Sequence, residues 1–129
     1  MPSLATLRAF ADTVESNDHV GAIRKFYAAD ASTRENDNPP VIGRDILAER
    51  ERKVLERVAS VKTTRLGPLL LEGHHSAIRW RFEFTAKDGS TRVMEEVAWQ
   101  TWRGEELIEE HFFYDPAMMK NSRPVSAAG

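Results

Sequence analysis

The sequence predicts an α+β domain in which three helices come first and a curved, mostly antiparallel sheet wraps around them. Three observations carry this. Apolar residues recur at helical spacing as far as Val58, they alternate at period two beyond Ser60, and short turn signals, not further helices, separate the alternating stretches. A sheet curved around a helical layer forms a cone with a narrow packed end and an open end, and the open end is where a ligand enters.

Ser3 precedes a helical stretch that places Leu4, Leu7, Phe10 or Ala11, and Val14 on one face. Asn17-Asp18 breaks that helix and starts another, with Asp18 as N-cap and Val20, Ile23, Phe26 and Tyr27 at helical spacing. Ala31–Glu35 reads as a short strand. Asn36-Asp37-Asn38-Pro39-Pro40 is a loop, because consecutive prolines remove amide donors and restrict the residue before them. Arg44–Val58 reads as the third helix, its charged run Glu49–Lys53 forming a solvated face with Glu49 four residues before Lys53. Val61–Glu72 is expected to be one strand, bulged or at an edge around Gly67-Pro68.

Ala77–Thr85 is the cleanest strand, with Ile78, Trp80, Phe82 and Phe84 on one face and Arg79, Arg81 and Glu83 on the other. Lys87-Asp88-Gly89-Ser90 supplies a hairpin turn. The segment Thr91–Pro116 then alternates, turns at Arg103-Gly104-Glu105, alternates again and stops at proline. Residues 1–116 are read as the domain and 117–129 as a flexible tail.

Composition bounds the function. The 129 residues suit one domain that buries roughly two-thirds of its unfolded surface. A formal net charge of −2 argues against nucleic acid, which calls for a concentrated basic face. The lack of cysteine excludes disulfides, thiolate nucleophiles and thiolate metal sites, and is compatible with a cytoplasmic location. No apolar run approaches a membrane span, and no signal-peptide profile opens the chain. His19, His74 and His75 lack companions at metal-ligand spacing and read as exposed, so no metal is expected.

The pattern FYAADASTRENDNPPVIGRDIL, followed by strands ending HFFYDP, resembles the nuclear-transport-factor-2-like superfamily, within it the SnoaL-like polyketide-cyclase and ketosteroid-isomerase group. The resemblance covers about residues 4 to 116 and implies a cystatin-like α+β barrel, which dimerises in many members through the outer face of the sheet. It specifies activity poorly, because the scaffold hosts isomerases, cyclases, hydrolases and non-catalytic binders. Ketosteroid isomerases place a catalytic aspartate in the strand after the second helix, a position that falls here at Glu35 or Asn36. Their oxyanion-hole tyrosine and protonated aspartate fall at Phe10 and Ala98, which carry no donor. A limonene-epoxide-hydrolase-like variant would hold a water between an acid, Asn36 and Tyr114.

The residues themselves suggest where a site lies. With Ala98 and Trp102 inward, Glu96 and Gln100 share their face. With Ile108 and Phe112 inward, so do Glu110 and Tyr114. Buried carboxylates are costly unless paired or useful, so this face reads as a pocket wall. In the alternative register Glu95, Val97 and Trp99 face inward instead. Glu96 and Glu110, as cross-strand neighbours, would share a proton. Glu35, desolvated by Trp80 and Phe82, is a candidate base. Asn36 either joins it or caps the loop through side-chain-to-backbone bonds. Trp80, Phe82, Gln100, Trp102, Phe112 and Tyr114 are the expected contacts for a small apolar molecule, unless the aromatics only fill the core. Arg79, Arg81 and Glu83 are expected to pair across a homodimer interface on the outer face, where His111 also falls.

Overall fold

The computed structural model describes residues 1–120 and 123–124. The elements follow the order α1 (Leu4–Glu15), α2 (His19–Phe26), β1 (Tyr27–Glu35), β2 (Val41–Ile42), α3 (Arg44–Glu56), β3 (Val58–Arg65), β4 (Leu70–Glu72), β5 (His75–Ala86), β6 (Ser90–Arg103), β7 (Glu106–Phe113), a 3₁₀ turn (Pro116–Lys120) and β8 (Arg123–Pro124). The strands form one curved mixed sheet in the order β2-β1-β7-β6-β5-β3, with β4 also on β5 and β8 on β6. Among the described residues the β1–β7 pair is parallel and every other pair antiparallel. The three helices lie on its inner face, where Phe10 meets Phe26 and Trp102 edge-on with ring centroids 5.6 and 5.8 Å apart.

Both helix starts form as the sequence indicates. The Ser3 hydroxyl accepts from the Thr6 amide, and the Asp18 carboxylate accepts from the Gly21 amide. The second cap explains a glycine inside a helix. A Cβ at position 21 would stand 2.1 Å from Asp18 Oδ2, so any larger residue collides with the capping carboxylate. Gly21→Ala should therefore destabilise the protein, although alanine alone is worth up to about 1 kcal/mol over glycine in a helix. Asp18→Ala should cost about 1 kcal/mol. In the double variant the two losses should not add, because without the carboxylate the new methyl has nothing to strike. Urea unfolding of the three variants measures this.

Strand alternation holds along β5 and β6. On β5, Ser76, Ile78, Trp80, Phe82 and Phe84 are buried; on β6, Met94, Glu96, Ala98, Gln100 and Trp102 are. The register between the two strands sets Trp80 opposite Glu96 and Ile78 opposite Ala98. Outside, Arg81 lies opposite Glu95 and bonds it at 2.9 Å.

Several boundaries differ from the sequence reading. Tyr27 does not continue α2 but opens β1, which runs to nine residues instead of five. Likewise α3 stops at Glu56 and Val58 opens β3. The expected strand Val61–Glu72 is two strands, because Gly67 takes a left-handed φ of +110° beside a proline that cannot donate to the ladder.

On β7 the inward residue is Leu107, not Ile108. A bulge after Thr101 lets Trp102 pair with Leu107 while Thr101 pairs with Glu109, so Ile108 is the extra residue. The described part of the expected tail includes the 3₁₀ turn at Pro116–Lys120 and the short pairing of Arg123–Pro124 with β6. The remainder of the flexible-tail expectation, residues 121–122 and 125–129, lies outside the described residues. No described helix is long and apolar enough to cross a membrane.

Candidate functional site

A cavity of about 370 Å³ opens between the helices and the inner face of the sheet. That volume suits a small molecule. Its walls are mostly apolar: Phe10, Ile23 and Leu47 come from the helices, and Trp80, Phe82, Phe84, Met94 and Phe112 from the strands. Set into these walls are Tyr27, Glu35, Glu96, Glu110 and Tyr114, together with His19, Arg50 and Glu51.

Glu110 forms the floor and is held by donors on both oxygens. The Tyr27 hydroxyl donates to Oε1, and Gln100 Nε2 donates to Oε2 at 2.8 Å. The direction of this network follows from chemistry. An indole N–H can only donate, so Trp102 Nε1 donates to Ser76 Oγ (2.9 Å), and that hydroxyl is free to donate onward to Gln100 Oε1 (2.7 Å). The Gln100 amide nitrogen must then face Glu110. Burial pushes the Glu110 carboxyl above its ordinary range, while the bonds from Gln100 and Tyr27 pull it back. The Tyr27 phenol is driven well above its usual range by burial and then by the adjacent Glu110 carboxylate, so it stays protonated.

Glu96 sits in a contrasting setting. It is 8% exposed, faces the cavity, and makes no hydrogen bond or ion pair among the described residues. Burial raises its pKa well above the ordinary value, and the neighbouring charges of Glu110, Glu35 and Glu51 raise it further. Such a setting favours the neutral form of the carboxyl, which presents an O–H to the cavity.

The inward register is therefore the one adopted, but Glu96 and Glu110 are not cross-strand neighbours. Glu110 lies opposite Gln100, and Phe112 opposite Ala98, which sets the two acids apart along the ladder. They interact through the cavity and share no proton.

Glu35 is exposed in the cavity wall, not enclosed by Trp80 and Phe82, and it accepts from the Tyr114 hydroxyl at 2.9 Å. Partial burial and that bond push the Tyr114 phenol up to about 12. Asn36 does not line the cavity. Its backbone is left-handed (φ +52°), a conformation asparagine tolerates, and its Oδ1 accepts from the Tyr114 amide at 3.0 Å. Its own amide donates to Phe112 O, and His111 Nε2 bonds its carbonyl at 2.6 Å. With the side-chain oxygen engaged, Asn36 anchors the β1–β7 junction and seats Tyr114; it is not placed to hold a catalytic water. Gln100 and Trp102 likewise stand behind the wall and support Glu110 instead of touching the cavity.

Tyr27, His19 and Glu51 are among the lining residues that escaped the sequence reading. Tyr27 left no local sign, since it fits the helical pattern that precedes it. His19 did leave one, because it shares a helical face with Ile23 and Phe26. It is buried, bonds Thr63 Oγ1 at 2.8 Å through Nε2, and meets Phe82 edge-on. Glu51, four residues after Leu47, turns from the charged run to place Oε1 3.6 Å from His19 Nδ1. The rest of that run is solvated, with Glu49 paired to Arg52 and not to Lys53. His74 and His75 are exposed as expected, and no described cluster is built to hold a metal ion.

Neither a family model nor a curated protein matches the sequence. Solved structures do match. A SnoaL-like protein from Mesorhizobium loti is 26% identical with a TM-score of 0.73, over 88% of this chain and 100% of that one. An NTF2-like protein of unknown function from Burkholderia pseudomallei is 15% identical (TM-score 0.75, covering 90% and 92%). An LEH-like epoxide hydrolase of M. tuberculosis is 11% identical (TM-score 0.73, covering 91% and 86%). The chain has the fold shared by SnoaL-like, NTF2-like and ketosteroid-isomerase-like proteins.

Proposed function

We propose that the protein binds a small, mainly apolar cyclic molecule and transforms it by acid–base chemistry without a cofactor, as an isomerase, cyclase or hydrolase. One observation carries this reading: two carboxyls face one apolar cavity in opposite environments. Glu96, unpartnered and buried, acts as the general acid. Glu110, held by Tyr27 and Gln100, acts as the base. Environments that separate two pKa values divide the acid and base roles in this way. Glu35 and Tyr114 orient the polar end of the ligand, and Trp80, Phe82 and Phe112 contact its ring.

Cyclohex-3-enone isomerisation and cyclohexene oxide hydrolysis are suitable first assays. Conversion of either should fall by about 10²–10⁴ in Glu96→Gln and again in Glu110→Gln. A second reading, a non-catalytic binding module, is favoured by Phe10 and Ala98, both buried, where ketosteroid isomerases carry oxyanion donors. Ring compounds that bind but are never converted, with Glu110→Gln binding equally well, would establish that second reading.

The same proposal includes a homodimer through the outer sheet face. Trp99, Val97 and Phe113 are exposed there beside the Arg81–Glu95 pair, and the Trp99 ring stacks on His75. Light scattering should return twice the 14.6 kDa of one chain, and Trp99→Lys should shift the mass to the monomer.

A further inference from the structure

We infer that the cavity takes a ring carrying a protonated amine, the organic cation sitting against Glu96 and the aromatic wall. This deepens the reading above and rests on the cavity being a ligand site. The charges facing it are unbalanced. Glu35, Glu51, Glu96 and Glu110 line it, against His19 and Arg50. His19 is already engaged by Thr63 and faces Glu51, and Arg50 is exposed on α3.

The unoccupied member is Glu96, buried and unpartnered with its carboxyl toward the cavity. A buried carboxyl that folding alone would exclude is explained when a ligand supplies the missing partner.

The surroundings favour an organic cation over an inorganic one. The acids are spread around the cavity instead of converging, and no described group of acidic or histidine side chains can hold a metal ion. The walls between them are aromatic: Trp80 is the cross-strand partner of Glu96, with Phe82, Phe112 and Tyr114 also lining the space. Aromatic faces attract an alkylammonium through the ring quadrupole while burying its carbon skeleton. An anionic ligand would meet four carboxyls and no free buried cation among the described residues.

Binding should also move a proton. An ammonium beside Glu96 favours its ionised form. With an unreactive amine the carboxyl loses its proton to solvent as the cation enters, and no bond in the ligand is made or broken. With a substrate that proton is the one the general acid delivers.

The test is calorimetry at pH 7 with three ring probes of similar size: cyclohexylammonium, cyclohexanol and cyclohexanecarboxylate. The expected order is ammonium tightest, by tenfold or more over the alcohol, with the carboxylate weakest. The ammonium enthalpy should vary with the ionisation enthalpy of the buffer, reporting proton release. In Glu96→Gln the ammonium should lose its tenfold advantage and its buffer dependence, while cyclohexanol binds as before. Alcohol or carboxylate binding as tightly as the ammonium, or an ammonium preference that survives in Glu96→Gln, would overturn the inference and leave the cavity reading standing. Failure of all three probes to bind would remove both.

Discussion

Gln100→Leu should cost the fold about 3–5 kcal/mol, and more at high pH than at low. Leucine fills similar space but strips Glu110 of one of its two donors and leaves the Ser76 hydroxyl without its acceptor. Removing one partner of a buried ionised group costs that much, because the remaining charge keeps its desolvation penalty. The pH trend follows from the sign of the shift. Burial already raises the Glu110 pKa above 4.5, and the Gln100 bond is the first influence pulling it down. Without that bond the folded-state pKa rises further. Stability from a group with a raised pKa is complete below its unfolded value and is lost as pH climbs toward the folded one. The deficit of the variant should therefore widen between pH 5 and pH 8 in urea titrations. A cost below 1 kcal/mol, flat with pH, would mean that Glu110 is neutral and the donor network idle.

Glu96→Gln should act in the opposite direction and stabilise the protein at neutral pH. Glu96 has no partner to lose among the described residues, and its pKa is raised by burial and by Glu110, Glu35 and Glu51. An unfolded chain releases this proton near pH 4.5, whereas the folded one holds it well above that. Wild-type stability should thus decline by up to about 1.4 kcal/mol per pH unit from this group across that window. The amide does not titrate, so variant and wild type should nearly coincide at pH 4 and separate as pH rises. If the two curves run parallel from pH 4 to pH 8, Glu96 is ionised in the folded protein and the general-acid role fails. Stability gained together with function lost is the pattern expected of a group retained for use.

The sequence by itself determined the features that depend on near neighbours. Alternation from Ala77 to Thr85 named the inner face of that strand, because side-chain direction in a strand repeats every second residue. From Thr91 to Arg103 it left two registers, and the fold took the one with Glu96 and Gln100 inward. Ser3 and Asp18 announced their helices because a cap satisfies amides only two or three residues away. Tertiary structure decided what depends on distant partners. A single bulge after Thr101 brings Leu107 inward and sets Glu110 opposite Gln100, and nothing local in the Glu106–Phe113 stretch marks that slip. Tyr27 reaches Glu110 across 83 residues, and Asn36 gives its side chain to the Tyr114 amide across 78. These contacts exist because β1 runs parallel to β7, a pairing between the two ends of the domain. Which acid is held and which is left bare follows from that pairing, since a carboxyl's charge state answers to the groups around it and not to its place in the chain.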